Sequence, residues 1–485
     1  MSRPRLSPGN IPAGVAPIGY VRDRTTSGIV HLGIGAFHRA HQAVYTDDAL
    51  AAGDTGWGIT AVSLRSPSTR DALAPQDCVY MVEERSGAGP ARRLIGAINT
   101  VLVAPESPER VIAALADPAV HIVTLTVTEK GYYRDPAGDG LLFDDPAIAH
   151  DLSGAAPRTI FGYLAAALDR RQAAGSGPLT LLSCDNLSGN GDLLDRLLGA
   201  FLARRGRPLE RRWTCPNTMV DRIVPRTTAA DMDGAPVDDR GLVVTEPFRQ
   251  WVIEDRFAGP RPRWEVGGAQ IVADVHPFEL AKLRLLNGSH STLAYVGLLL
   301  GHTYVHQAVA DPALAALLRR QIDGEAIPTL APAAGLDYPA YADALLRRFD
   351  NPALPHRLDQ IAIDGSQKIP QRWLAAMVER DARGLASPAY LLSLSAWIVH
   401  VGGTTGRPVD DPLADRLAAL WQGAAGDAHA AAAAMVDQSG VFPAAFRDSA
   451  ALPSALAAML ARLVAGDPRA LIAAITAPAL LTDQF

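Results

Sequence analysis

At 485 residues, with 48% hydrophobic and 20% charged side chains, the chain is long enough for two or more packed units and has the balance of a globular protein. Its net charge of -6, with no lysine- or arginine-rich run, gives no electrostatic basis for binding nucleic acid. Cys78, Cys184 and Cys215 are odd in number and lack CxxC spacing, which argues against a disulfide framework or a cysteine-rich zinc site and for a reducing, cytoplasmic setting.

The chain opens on "MSRPRLSPGNIPAG", which lacks the apolar core of a signal peptide. "GIVHLGIG" (28–35) is β-branched and apolar and ends in glycines, as a buried parallel strand does. Gly33 and Gly35 stand directly after it and before the helical "RAHQAVYTDDALAA". There, glycine lets backbone amides approach a pyrophosphate, and a helix start favours its negative charge. Gly33, Gly35 and the nearby Phe37 are the cofactor-binding candidates of this turn. His38 replaces the third glycine of GxGxxG, and a tight turn without a ligand has the same pattern. His38 and His41 have the i, i+3 spacing of metal ligands, but no thiolate or carboxylate cluster joins them, so no metal is expected. "WGITAVSL" (57–64) is the next strand. An acid at its end would hold the 2′-hydroxyl of NAD. Arg65, Ser66, Ser68 and Arg70 stand there instead, which leaves room for the 2′-phosphate of NADP or marks a plain solvated loop.

"VYMVEE" (79–84), "RLIGAINTVLV" (93–103) and "AVHIVTLTVTEKGY", from Ala119, look extended. "RTIFGYLAAALDRRQAA" is helical and precedes the strand "LTLLSCDN" (179–186). Asp185 and Asn186 then lie at a strand's carboxyl end, the edge where open α/β sheets bind ligands, and an asparagine amide there can donate to a substrate oxygen. An Asx turn with an N-cap is the structural alternative. Strand, helix, strand order predicts an α/β fold, with a Rossmann-type doubly wound parallel sheet over residues 1–280.

From 281 to 485 the pattern becomes mostly helical, with aspartate and proline at helix starts and glycine at several ends. "KLRLLNGSHSTLAY" (282–295) reads as a helix carrying costly polar groups among leucines. At about 100° per residue, Asn287 lies roughly 140° and His290 roughly 80° round from Lys282, with Glu279 roughly 60° round in the same arc. One face could hold all four, either buried and functional or simply in water. "LAYVGLLLG" is far short of the roughly 20 apolar residues needed to span a bilayer, so no membrane partner is expected. "DPALAALLRRQID", "YADALLRRFD", "QRWLAAMVERDARG", "PAYLLSLSAWIVHVGG" and "LADRLAALWQGAAGDAHAAAAAMVDQ" read as helices.

Together, "GIGAFHRAHQAVYTDDAL", "TLTVTEKGYY", "SCDNLSGNG", "NTMVDRIVP", "EPFRQWVIED", "KLRLLNGSHS" and "DGSQKIPQR" resemble the mannitol dehydrogenase family, long-chain polyol dehydrogenases that work without a metal. The most specific element is lysine, four residues, asparagine, two residues, histidine. The resemblance implies Lys282 as general acid/base, Asn186 and Asn287 holding the substrate oxygen, and His290 positioning substrate. It further implies Glu279 in proton relay, and Asp221 and Lys368 in substrate binding. A lysine base near neutral pH requires burial or a neighbouring cation to lower its pKa. Ser68 stands where mannitol 2-dehydrogenases carry an acid, so NAD is the expected cofactor with NADP possible. Gln360 replaces an arginine, and Cys215 is a packing change. The expected reaction interconverts a linear polyol and its ketose, D-mannitol and D-fructose first, in a monomer or homodimer. One alternative is fructuronate reductase, which cationic Arg284, Lys368 or Arg372 facing the substrate would favour. The other is a non-catalytic cofactor-binding protein on a dehydrogenase fold.

Overall fold

The structure, a computed structural model, describes residues 3–477 apart from 136, 137, 139 and 208. It forms two compact units, Met1–His276 and Pro277–Phe485.

The N-terminal unit is built on six parallel strands: β1 (Ser27–Leu32), β2 (Gly58–Ser63), β3 (Ile98–Val103), β4 (Ile122–Leu125), β5 (Leu179–Ser183) and β6 (Trp213–Thr214). Their order is β3-β2-β1-β4-β5-β6, a doubly wound sheet whose direction of build reverses between β1 and β4. Helices cover both faces, so the strands are apolar almost continuously rather than alternately. On β1, Val30 and Leu32 join one core while Ile29 joins the other.

Two of the extended runs end sooner than their composition suggests. "RLIGAINTVLV" divides into Gly89–Ile95, which pairs antiparallel with Tyr80–Ser86 in a separate four-stranded sheet, and β3. The break falls at Gly96, whose N–H donates to the Asp47 carboxylate at 2.9 Å instead of to a strand. "AVHIVTLTVTEKGY" is a strand only as far as Leu125. The N–H groups of Val127 and Thr128 donate to the Asp185 carboxylate at 3.0 and 2.8 Å, and Thr128 takes a φ of 63°.

The C-terminal unit is helical around one large apolar core. Aspartates cap as composition suggests: Asp311, before Pro312, accepts from the Ala313 N–H at 3.0 Å. The alanine-rich run after Leu413 is two helices, Ala414–Gly423 and Ala428–Gln438. Ala425 and Gly426 at φ 50° and 88° end the first, and the Asp427 cap starts the second. Three π-helical segments, Lys282–Asn287, Ile322–Ala326 and Pro370–Leu374, occur among the described residues. Proline lacks the N–H an α ladder needs, which accounts for the last. Among the described residues no helix is long and apolar enough to cross a membrane.

Candidate functional site

At the carboxyl end of β1 the Gly33 N–H donates to the Val62 carbonyl at 2.9 Å. With φ at 98°, a Cβ on Gly33 would lie 2.2 Å from the Thr126 carbonyl oxygen, so only glycine fits. Gly35 caps the short Ala36–Ala40 helix, and a Cβ there would meet nothing nearer than the Gly33 oxygen at 3.8 Å. The backbone is therefore open to a ligand at the sheet's switch point, as a dinucleotide pyrophosphate requires. His38 does not obstruct this cradle. Its ring is turned inward and stacks on His31 at 3.4 Å, where burial pushes its pKa well below the usual range. Phe37, half-buried, stacks on His41 at 5.0 Å. Both His41 ring nitrogens are engaged: Nε2 with the Gln250 carbonyl at 2.8 Å and Nδ1 with the Gln42 amide at 3.0 Å.

At the end of β2, Arg65 and Ser68 are exposed, and the Ser68 hydroxyl lies 2.9 Å from that of Ser66. Arg70 is held by Asp71 at 2.8 Å and by Glu106. At the end of β5 the two neighbours divide their work. Asp185 is buried and binds the loop after β4, with the Tyr132 hydroxyl donating to it at 2.9 Å, while Asn186 is exposed. The following helix is capped by Gly189 backbone at φ 56° rather than by a side chain. Asp221 is buried at the end of the strand Thr218–Asp221.

In the C-terminal unit, the expected single α-helix is three pieces: His276–Ala281, the π segment Lys282–Asn287, and Gly288–Leu299. The Gly288 N–H returns to the Leu283 carbonyl, five residues back. Angles drawn at a constant α-helical increment therefore fail here. With i→i+5 bonding, residues five apart become neighbours one turn on, which brings Asn287 closer above Lys282 than an α-helix would. The face is not in water: every residue from Gly288 to Leu298 is buried, Lys282 and His290 are each 9% exposed, and Asn287 and Glu279 are half-buried. His290 packs against Phe349 at 4.5 Å and meets His356 edge-on at 5.8 Å. Burial first, then the His356, Arg372 and Arg348 charges, keeps it neutral. Its Nε2 is buried without a hydrogen-bond partner among the described residues.

Of the three cations suspected of facing substrate, Arg284 does not. It is buried, forms a fork on Glu379 and donates to the Thr329 carbonyl at 2.9 Å. Lys368 donates to the Ile363 carbonyl at 2.5 Å, and burial and Arg372 lower its pKa. Arg372 donates to the Asn287 carbonyl and the Ser291 hydroxyl. Sequence patterns carried no signal for Ser291, Trp373 or His356. Among the described residues no group of three or more His, Cys, Asp or Glu side chains is placed to hold a metal ion.

The chain's segments match two known family descriptions, the mannitol dehydrogenase Rossmann domain over residues 27–266 and the mannitol dehydrogenase C-terminal domain over 274–464. It is 42% identical over 420 residues to mannitol 2-dehydrogenase of Pyrenophora tritici-repentis, covering 82% of this chain and 74% of that one. Among solved structures it is similar to Pseudomonas fluorescens mannitol 2-dehydrogenase in ternary complex with NAD and D-mannitol (TM-score 0.80, 34% identity, 99% of this chain and 100% of that one). It is also similar to a substrate-free D-sorbitol dehydrogenase (TM-score 0.90, 30% identity, 97% and 100%). With both halves matched by the same family and with relatives of this identity over most of its length, the chain belongs to the mannitol dehydrogenase family.

Proposed function

We propose that this chain is an NAD-dependent polyol dehydrogenase that oxidises a linear polyol to its ketose, D-mannitol to D-fructose first, with Lys282 as general base. The observation that carries the reading is the polar set on one largely buried helical stretch: Lys282 and His290 almost fully buried, Asn287 half-buried between them in the sequence, and a His290 nitrogen with no partner among the described residues. A buried ring nitrogen without a partner is costly unless something completes it, and a substrate hydroxyl would do so.

NAD, held at Gly33 and Gly35 with Phe37, Arg65 and Ser68 as proposed neighbours, supplies the hydride acceptor for the carbon that bears the reacting hydroxyl. The chain's own residues handle the proton and the oxygen. Lys282, as free amine, takes the hydroxyl proton and becomes the ammonium; in the reverse direction it returns that proton. Asn287 donates from its side-chain amide to the oxygen as negative charge grows on it, a fixed dipole in place of a metal. His290, held neutral by burial, orients a substrate hydroxyl without adding charge. Glu279, on the helix just before Lys282, passes the proton onward. Asn186, Asp221 and Lys368 keep the substrate roles that the motif resemblance implies for them.

The reductase reading, in which a substrate carboxylate meets a cationic cluster, loses Arg284, which Glu379 neutralises, and rests on Lys368 and Arg372 alone. Replacing Lys282→Ala should lower turnover of D-mannitol by at least about 10² while leaving NAD binding and the circular dichroism spectrum intact. Near-normal turnover in that variant rejects the assignment.

A further inference from the structure

Two consecutive side chains of the Pro370–Leu374 π segment bind two consecutive carbonyls at the end of another π segment and the start of the α-helix that follows it. Arg372 Nη1 donates to the Asn287 carbonyl at 3.3 Å and to the Ser291 hydroxyl at 2.9 Å, and Trp373 Nε1 donates to the Gly288 carbonyl at 3.0 Å. Both carbonyls lie where the Lys282–Asn287 π segment passes into the Gly288–Leu299 α-helix. An α ladder is the default and a π turn the exception, so the wider turn has to be held from outside. Trp373 is fully buried and cannot swing away.

The guanidinium is a costly way to hold a helix. It is largely buried, both of its acceptors are neutral oxygens, and among the described residues it makes no ion pair. Burial brings its pKa down to about 10. A desolvated cation without a counter-charge lowers stability, and a neutral donor such as the neighbouring indole would satisfy a carbonyl without that penalty. What the guanidinium adds is geometry: a single nitrogen, Nη1, held in a rigid plane, reaches both the backbone of Asn287 and the side chain of Ser291, one turn further on.

We propose that Arg372 is a positioning residue for the dehydrogenation: together with Trp373 it locks the π-to-α junction and thereby fixes the Asn287 amide relative to the Lys282 amine. This rests on the assignment of Lys282 as the base. Arg372 need not touch substrate or cofactor. Its effect is on the rate of the chemical step, because that step requires the proton acceptor and the amide donor to meet the same oxygen at once.

The test is single-turnover stopped flow on the full-length enzyme with NAD and D-mannitol, followed at the reduced-nicotinamide absorbance. The rate constant reports geometry and the amplitude reports the fraction of competent enzyme. Arg372→Met should lower the rate constant about 10- to 100-fold, with amplitude and KM nearly unchanged. Arg372→Lys should recover part of the loss, and Trp373→Phe should show a smaller fall in the same constant. An amplitude that falls while the rate constant stays put would make Arg372 merely structural and overturn the proposal. A raised KM at unchanged rate constant would make it a substrate contact and overturn the proposal equally. Full activity in Lys282→Ala would instead bring down the functional reading itself, whereas an inactive Lys282→Ala beside a normal Arg372→Met defeats this inference alone.

Discussion

We propose that Ser68 sets how firmly the enzyme holds to NAD. It lies exposed at the start of the Ser68–Leu73 helix, where a carboxylate would accept from the ribose hydroxyl and repel a 2′-phosphate. Arg70 can do little for NADP because Asp71 and Glu106 already neutralise it. That leaves Arg65, and an exposed cation contributes little through a single contact. NAD is therefore favoured by a modest margin. Ser68→Asp should raise the NAD-to-NADP ratio of kcat/KM by about tenfold, a change of about 1.4 kcal/mol, chiefly by weakening NADP. Initial rates with both cofactors measure it, and an unmoved ratio places residue 68 away from the ribose.

Between elements, the most exacting contact is Glu325, fully buried in the Ile322–Ala326 π segment. Its carboxylate accepts from the Ala389 and Tyr390 N–H groups at 2.9 and 3.0 Å, at the start of the Pro388–Val401 helix. Burial pushes its pKa up from 4.5 to about 7, against the pull of those two N–H groups and of Arg380. A carboxyl whose pKa is raised by folding contributes stability that is complete below the unfolded pKa and is lost as pH rises through the folded one. The protein should thus lose on the order of 2–3 kcal/mol of stability from this group between about pH 5 and about pH 8. In Glu325→Gln that increment should vanish from the pH dependence of urea unfolding; an unchanged slope would assign the ionisation elsewhere. Nothing in "RRQIDGEAIP" announces such a role, since a Glu after Gly reads as surface. The Asp–Pro starts of helices were legible because capping is local chemistry. The π segments were not, because hydrophobic periodicity averages over a single wide turn.

For the whole molecule, the parallel sheet and the helical second half were legible in the order of strand-like and helix-like runs, since each run is long enough for its period to show. What escaped was where runs stop. β4 goes no further because Asp185, far along the chain, takes the N–H groups of Val127 and Thr128, and a contact of that range leaves no local trace. The glycine turn after β1 was readable for the opposite reason: φ at 98° and a carbonyl 2.2 Å from any Cβ leave one residue type. As the proposed cofactor site, that turn should also link binding to stability. NAD at about 100 times its Kd should stabilise the folded chain by about 2.7 kcal/mol and raise its unfolding temperature. Gly33→Ala should abolish the rise in a calorimetric scan, and a shift that persists in that variant would move the cofactor off this turn.

The π segment at Lys282–Asn287 also bears on chain length. A π turn is an α turn with one residue inserted. Lys282, Asn287 and His290, at i, i+5 and i+8, therefore stand close to where i, i+4 and i+7 stand on an unbroken α-helix, the spacing that lines up one face. The wider turn thus keeps these three side chains close to one face despite their longer spacing. It displaces the backbone at the junction and gives a second helix something to grip.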